Sequence, residues 1–339
     1  MKKRVTIQDL ARELDTTPST ISRALKNHPA ISKSMKKRVV DLAKERNYQV
    51  NALAAGLRVG KSKTIGVIVP RINRDFFSNV ISGVEDMAFE NGYNVVICQT
   101  HDSVTREQQH LNTLISSGVS GILVSVGLET NTFEHFDEVK RLGIPLIFFD
   151  RVTDQTDVNK IQNNDQSGAY KAVVHLIENG YKRIAHFSGP DYLNVYKDRK
   201  EGYLSALRDH QIEIEEELII QSDLKVESGK ESMKKLLALD NPPDAVFSAS
   251  DYSALGALTY LDELGIDVPN QIGLVGYSNE NFTALTSPSL TSVNQHSIEI
   301  GRYAAKVFFE EINAKNKVLI PRTIVLDPEL IIRASSVRK

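Results

Sequence analysis

Val5-Thr6-Ile7-Gln8-Asp9-Leu10-Ala11, then after five residues Thr17-Pro18-Ser19-Thr20-Ile21-Ser22-Arg23-Ala24-Leu25, is the stretch on which the reading of this chain turns. Thr6 can cap a first helix, with Asp9 at the capping-box position three residues on. Ile7, Leu10, Ala11 and Leu14 then recur at helical spacing. Thr17-Pro18 opens a second helix with a cap residue followed by proline at the first helical position, where its missing N–H costs nothing. Ile21, Ala24 and Leu25 face inward. A third helix opens after Ile31-Ser32, burying Met35, Val39, Leu42 and Ala43 and presenting Lys33, Lys36, Lys37, Arg38 and Lys44 on its other side. Two short helices with a tight turn, the second polar outside, is how a helix-turn-helix fills a DNA major groove. The outer face of the second helix carries Ser19, Thr20, Ser22, Arg23 and Lys26. Arg23 can reach guanine O6 and N7 with two hydrogen bonds. The competing reading is an ordinary solvated face.

Charge favours the first reading. Residues 1–60 hold 13 Lys and Arg against 5 Asp and Glu, a net +8, while the remainder holds 28 basic against 38 acidic side chains, a net −10. A basic head on an acidic body is the footprint of a polyanion partner. The single Cys98 excludes a disulfide framework and a Cys-rich zinc site. The opening residues lack an apolar run and do not read as a secretory signal, and no stretch is apolar enough to span a membrane, so the expected location is the cytoplasm.

Outward from the head, residues 49–63 form a connector. Its one helix-like stretch, Asn51 to Arg58, is too short to be stable alone and contains Gly56. Beyond Lys63, apolar runs alternate with amphipathic helices. Strands are expected at Thr64–Pro70, Tyr93–Gln99, Gly121–Val126, Pro145–Asp150, Arg183–Gly189, Ala245–Ser248 and Gln271–Tyr277. Helices are expected at Phe77–Asn91, Arg106–Ser117, Gln166–Asn179, Lys197–His210 and Ser253–Leu264. Near-continuous apolar strands separated by helices predict parallel sheets covered on both faces. Gly92, Gly180 and Gly265 stand just past helix ends. Some 275 residues of this texture predict two doubly wound lobes, with Asp154–Gln162 read as a linker at their boundary.

Catalytic signatures are missing. There is no G-x-S-x-G, no H-E-x-x-H and no Cys/His cluster. Isolated histidines such as His186 read as structural. Gly56 to Ser62 mimics a phosphate loop but has three residues between its glycines where the motif needs four. The loop from Pro70 to Phe77 lacks the glycines of a dinucleotide site. No enzyme, metal or cofactor is implied, although clefts at strand carboxyl ends favour a small ligand.

The head motifs, Tyr48, and Asn51-Ala52-Leu53-Ala54-Ala55-Gly56-Leu57 resemble the lactose-repressor (LacI/GalR) family of bacterial regulators. So do Ile65–Pro70, Phe76-Phe77, Phe187–Pro190, Arg199 with Gly202-Tyr203, Ser250-Asp251, Gly276-Tyr277 and Pro288–Val293, in family order. The resemblance implies an α/β chain with a three-helix helix-turn-helix head (1–48), a hinge helix and linker (49–62), and a periplasmic-binding-protein-like body (63–339). The body would have two doubly wound parallel-sheet lobes, about 63–162 and 163–290, joined by three crossovers as the C-terminal segment returns. It implies a homodimer on a palindromic operator, repressing transcription under control of a small effector, a sugar or sugar derivative.

By the same resemblance Ser19, Thr20 and Arg23 read the groove. Thr6, Thr17, Ser22, Tyr48 and Asn51 contact or flank the DNA backbone. Ala54 belongs to the hinge's DNA surface, and Leu57 wedges into the minor groove. For the effector it points to Asp75, Phe76, Phe77, Ser125 and Asp150 in the first lobe, and to Arg199, Ser250, Asp251 and Ser278 in the second. Arg199 should face Phe77 and Asp150 across the cleft, so that Arg199→Ala would abolish the effector response and spare effector-free DNA binding. The alternative for Arg199 is an ion pair with a nearby acid such as Asp198 or Glu201. Val50 stands where the family has proline. Leu224, Ser278 and Asn163 replace frequent ligand-contacting types. Control by a partner protein, or a solute-binding role without DNA, are the rival readings.

Overall fold

The computed structural model describes residues 5–48, 62–153, 157–314 and 320–338. The expectations for Val50, Asn51, Ala54, Gly56 and Leu57 therefore lie outside the described residues. The chain divides into two units, Met1–Ser62 and Lys63–Lys339.

The head contains α1 (Ile7–Glu13), α2 (Pro18–Leu25) and α3 (Lys33–Glu45). Thr6 and Asp9 form a full capping box on α1. Thr17 caps α2 through the Thr20 amide, with Pro18 at its first position, and Ser32 caps α3 through Met35. Each cap satisfies amides that would otherwise be orphaned, worth about 1 kcal/mol apiece. Leu10, Ala11, Ile21, Ala24, Val39 and Ala43 make a small core, with Leu14, Met35, Leu42 and Tyr48 packed on it.

In the body the first sheet runs in the order β11-β5-β4-β3-β1-β2 and the second β12-β10-β9-β8-β6-β7. The first comprises β1 (Thr64–Val69), β2 (Asn94–Gln99), β3 (Gly121–Val124), β4 (Leu146–Phe149), β5 (Asn159–Asn163) and β11 (Thr323–Leu326). The second comprises β6 (Ile184–Ser188), β7 (Ile219–Gln221), β8 (Ala245–Ser248), β9 (Gly273–Tyr277), β10 (Thr291–Asn294) and β12 (Glu329–Ile331). All described pairings are parallel except β10–β12. Helices α4 (Asp75–Glu90), α5 (Val104–Ser116), α6 (Asp137–Arg141), α7 (Asp165–Glu178), α8 (Asn194–Asp209), α9 (Val226–Leu237), α10 (Asp251–Glu263) and α11 (Ser297–Asn313) connect them.

The seven expected strands all form, shortened by a residue or more at their ends except Ala245–Ser248. The Asp154–Gln162 linker is corrected: its end is strand β5, held between β4 and β11. Polar composition hid it. Asn159 and Asn163 are nonetheless buried, and Asn159 bonds the Glu311 carboxylate and the Arg322 amide.

The chain passes between the lobes three times: after β5, between β10 and α11, and between β11 and β12. Helix α11 thus returns to pack on α4 of the first lobe. The two backbones approach so closely that a Cβ at Gly83 would lie 2.2 Å from the Ile298 carbonyl oxygen, and one at Gly301 2.0 Å from that of Val80. Only glycine fits both positions.

Candidate functional site: a helical DNA face and an inter-lobe cleft

On the head, Ser19, Arg23 and Lys26 are exposed along α2, while Thr20 and Ser22 are half-buried. Three hydroxyls gather at the N-terminus of α2: Thr17 Oγ1 lies 2.8 Å from Ser19 Oγ and 3.0 Å from Thr20 Oγ1. Thr17 and Thr6 are exposed but already employed as caps. The Arg23 guanidinium makes no hydrogen bond or ion pair among the described residues, so its five donors face solvent. Tyr48 is half-buried on the head core.

In the body, loops at the carboxyl ends of strands from both sheets face each other, the position where open α/β sheets bind ligands. Between them lies a cavity of about 90 Å³, lined from the first lobe by Phe76, Phe77, Asp150 and Arg151 and from the second by Tyr196, Arg199, Ser250 and Ser278, among others. Asp150 sits one residue past β4 with φ +59°, and Leu224, also on the cavity wall, with φ +54°. Backbone held in this sparsely populated region concentrates at ligand sites. Burial pushes the Asp150 carboxyl up to about 6 despite Arg151 and Arg199 nearby. Its one described side-chain partner is Ser125 Oγ, at 3.4 Å.

Arginines supply the cleft's positive charge. Arg71 and Arg151 share the Asp102 carboxylate, at 2.9 and 2.8 Å. Burial raises the Asp102 carboxyl, but the two guanidiniums outweigh it and hold it below the usual range. Arg151 also donates to the Tyr196 hydroxyl of the other lobe, at 3.2 Å. Arg199 lines the cavity opposite Phe77 and Asp150, yet its partners are fixed. Nε donates to Asp165 at 2.8 Å, Nη1 to the Ala249 carbonyl at 2.9 Å, and the guanidinium lies 3.8 Å from the Tyr277 ring centroid. The acid it meets is Asp165, at the start of a separate helix.

Three expected effector residues stand off the cavity wall. Ser125 is buried behind Asp150. Asp251 is buried and accepts from the Glu280 amide at 2.8 Å and from Ser292 Oγ at 2.6 Å, which fastens the loop after β9. Asp75 accepts from the Asn281 amide at 2.7 Å. In this conformation these side chains are spoken for by protein groups. Conversely, Arg71, Arg74, Arg151, Tyr252, Glu280 and Gln295 line the cavity, and sequence reading passed over them. Arg151 alone had a signal, its place beside Asp150. Gln295 Nε2 and Arg74 Nη1 are buried without a hydrogen-bond partner. His186 is structural, as expected: it stacks between Tyr203 and Phe247 and bonds the Phe247 carbonyl, and burial lowers its pKa to about 4. No metal-holding cluster occurs among the described residues.

Burial also lifts the Asp251 carboxyl, to about 7, against the bonds from Ser292 and Glu280 that favour its charge. The unfolded carboxyl titrates near ~4. Between those values the folded chain holds the proton more tightly, so Asp251 lowers stability as pH rises from 4 to 7. We expect Asp251→Asn to gain on the wild type, in thermal melts, as pH goes from 5 to 8. Parallel profiles would contradict this.

A helix-turn-helix head joined to a two-lobed body with a cleft between the lobes defines a class of DNA-binding regulator. A sequence profile described as "Bacterial regulatory proteins, lacI family" matches residues 6–51, and one described as "Periplasmic binding protein-like domain" matches 173–336. The chain is similar to the HTH-type transcriptional repressor PurR of Actinobacillus pleuropneumoniae serotype 3 (strain JL03), 32% identical over 333 residues, 97% of this chain and 98% of that one. It is 31% identical to the catabolite control protein A of Priestia megaterium over 329 residues, 96% of this chain and 97% of that one. Among solved structures it resembles a transcriptional regulator CelR–cellobiose complex, with 27% identity and a TM-score of 0.74 over 98% of this chain and 100% of that one. The chain belongs to the lacI family of bacterial regulatory proteins. It is a DNA-binding transcriptional regulator with the periplasmic-binding-protein-like fold, and no described helix is long and apolar enough to cross a membrane.

Proposed function

We propose that this protein is a cytoplasmic repressor that binds a palindromic operator as a homodimer, under control of a sugar or sugar derivative seated between the lobes. The observation that carries the reading is the combination, in one chain, of an α2 face with a solvent-facing Arg23 and a cleft lined by both lobes. Arg23, Ser19 and Thr20 read bases; Thr6, Thr17, Ser22 and Tyr48 hold or flank the phosphates; Asn51, Ala54 and Leu57 complete the DNA surface. In the cleft, Asp150 accepts from a ligand hydroxyl, Phe76 and Phe77 give an apolar wall, and Arg199, Ser250 and Ser278 line the second lobe's side. Asp75, Ser125 and Asp251 support that site from behind. Homodimerisation is supported by apolar exposure on the edge strand β2, at Val96 and Ile97, and at Phe89 and Leu285, which are 77% and 84% exposed. An open apolar edge is otherwise an aggregation liability.

Selection of random DNA by the purified full chain tests the reading. The expected product is one palindrome, whose affinity falls about a thousandfold or more between 50 and 200 mM salt if six or more phosphates are neutralised. Bound DNA without two-fold symmetry would overturn the dimeric operator, and salt-insensitive binding would overturn the basic head's role.

A further inference from the structure

Helix α4 of the first lobe begins at Asp75, and its cap residue Arg74 offers no side-chain cap. The first amides are instead satisfied from the other lobe: Glu280 accepts from the Asp75 amide at 2.8 Å and from the Phe76 amide at 3.4 Å. The contact is reciprocal. Asp75 accepts from the Asn281 amide at 2.7 Å, at the start of the 3₁₀ turn Asn281–Ala284 in the second lobe. Each lobe thus caps the other. Beside them the Arg74 guanidinium stacks on Tyr252 of the second lobe, 3.2 Å from the ring centroid.

The second-lobe half of this contact is rigidly mounted. The Glu280 amide is held by Asp251, the Asn279 amide by Ser292 Oγ at 2.9 Å, and the Asn279 side chain by Arg333 at 2.7 Å. Glu280 itself is 3% exposed. At the other side of the cleft Asn194 bonds the Val152 amide and the Asp150 carbonyl, again across lobes. With both sides fastened, the cavity is about 90 Å³, well under the roughly 300–1,000 Å³ of sites that bury drug-sized ligands.

We propose that Glu280 and Asp75 form a reciprocal latch that holds the two lobes closed on each other, so that a ligand enters only when the latch is released. Opening leaves helix α4 and the Asn281 turn without caps, and that cost favours the closed form. The purpose of the latch rests on the effector reading above, but its existence does not. It is therefore tested on the full chain with no sugar and no DNA.

Amide hydrogen exchange is the test. In the wild type the Asp75, Phe76 and Asn281 amides should be protected. Glu280→Ala should speed exchange at Asp75 and Phe76 by about tenfold, the worth of one to two hydrogen bonds. It should also speed Asn281, whose own acceptor is untouched, because the two halves open together. Asp75→Ala should expose Phe76 in the same way. Val80 and Val84 within α4 report that the fold is intact, and Glu280→Gln, which keeps one acceptor, should be intermediate should the alanine variant fail to fold. Unprotected amides in the wild type would overturn the latch. So would variants that each free only the amides they directly cap, the behaviour of two independent local caps.

Discussion

Arg199→Ala is expected to destabilise the body by about 3–5 kcal/mol, because it strands a buried carboxylate. The Arg199 and Asp165 side chains are 5% and 1% exposed, and their N–O distance is 2.8 Å. Burial works against the charge on Arg199, and Asp165 outweighs it, so the guanidinium stays protonated. Removing it leaves Asp165 to pay desolvation alone and the Ala249 carbonyl without its donor. Replacing both partners, as Arg199→Met with Asp165→Leu, should recover much of the loss. Urea melts of the single and double variants decide it; a single-variant loss below about 1 kcal/mol would place the pair among those of little net worth. This differs from the expectation drawn from sequence, in which Arg199→Ala spared effector-free DNA binding. With a buried partner in place, that variant's lost response would also report a weakened fold. Arg199→Lys, which keeps the charge and loses the planar fork, is the better probe of a ligand contact.

Arg23→Ala carries the second large effect. The exposed, unpartnered guanidinium on α2 has the reach for a guanine edge, and a bidentate contact there discriminates by about 1–3 kcal/mol. The proposed homodimer would use it twice, so the operator complex should lose about 2–6 kcal/mol, with relaxed identity at one base pair in each half-site. Competition between operator variants reads this directly. Equal losses on every sequence would reduce Arg23 to a phosphate contact.

The parts of the molecule legible in the sequence are those set by neighbours in the chain. The Thr6–Asp9 capping box and the Thr17-Pro18 start depend on residues three apart, and both stand as expected. Strands such as Thr64–Val69 announce themselves by apolar runs, and Gly92, Gly180 and Gly265 take the positive φ that ends their helices. Strand β5 escaped because Asn159, Asn163 and their neighbours owe their burial to partners such as Glu311, 152 residues away. The cleft divides the same way. Asp150 and Phe77 follow strand ends and could be found. Glu280 could not, since it lies 205 residues from the amide it caps, and nothing local to Ser278-Asn279-Glu280 signals that a helix in the other lobe lacks its cap. Asp75 and Asp251 read as ligand contacts in the sequence, but in the closed conformation each accepts from a protein amide, and Asp251 also from the Ser292 hydroxyl.

In the proposed function a coupling free energy links the cleft to the DNA face. The measurement that reaches it most directly is a titration of the selected operator with the full chain, at fixed salt, across a panel of mono- and disaccharides and their phosphate esters. At least one should change operator Kd by about fivefold or more, and operator DNA should change that sugar's Kd by the same factor, as reciprocal linkage requires. Tight operator binding that no member of the panel alters, or a sugar that binds the cleft with the same affinity on and off DNA, would contradict it.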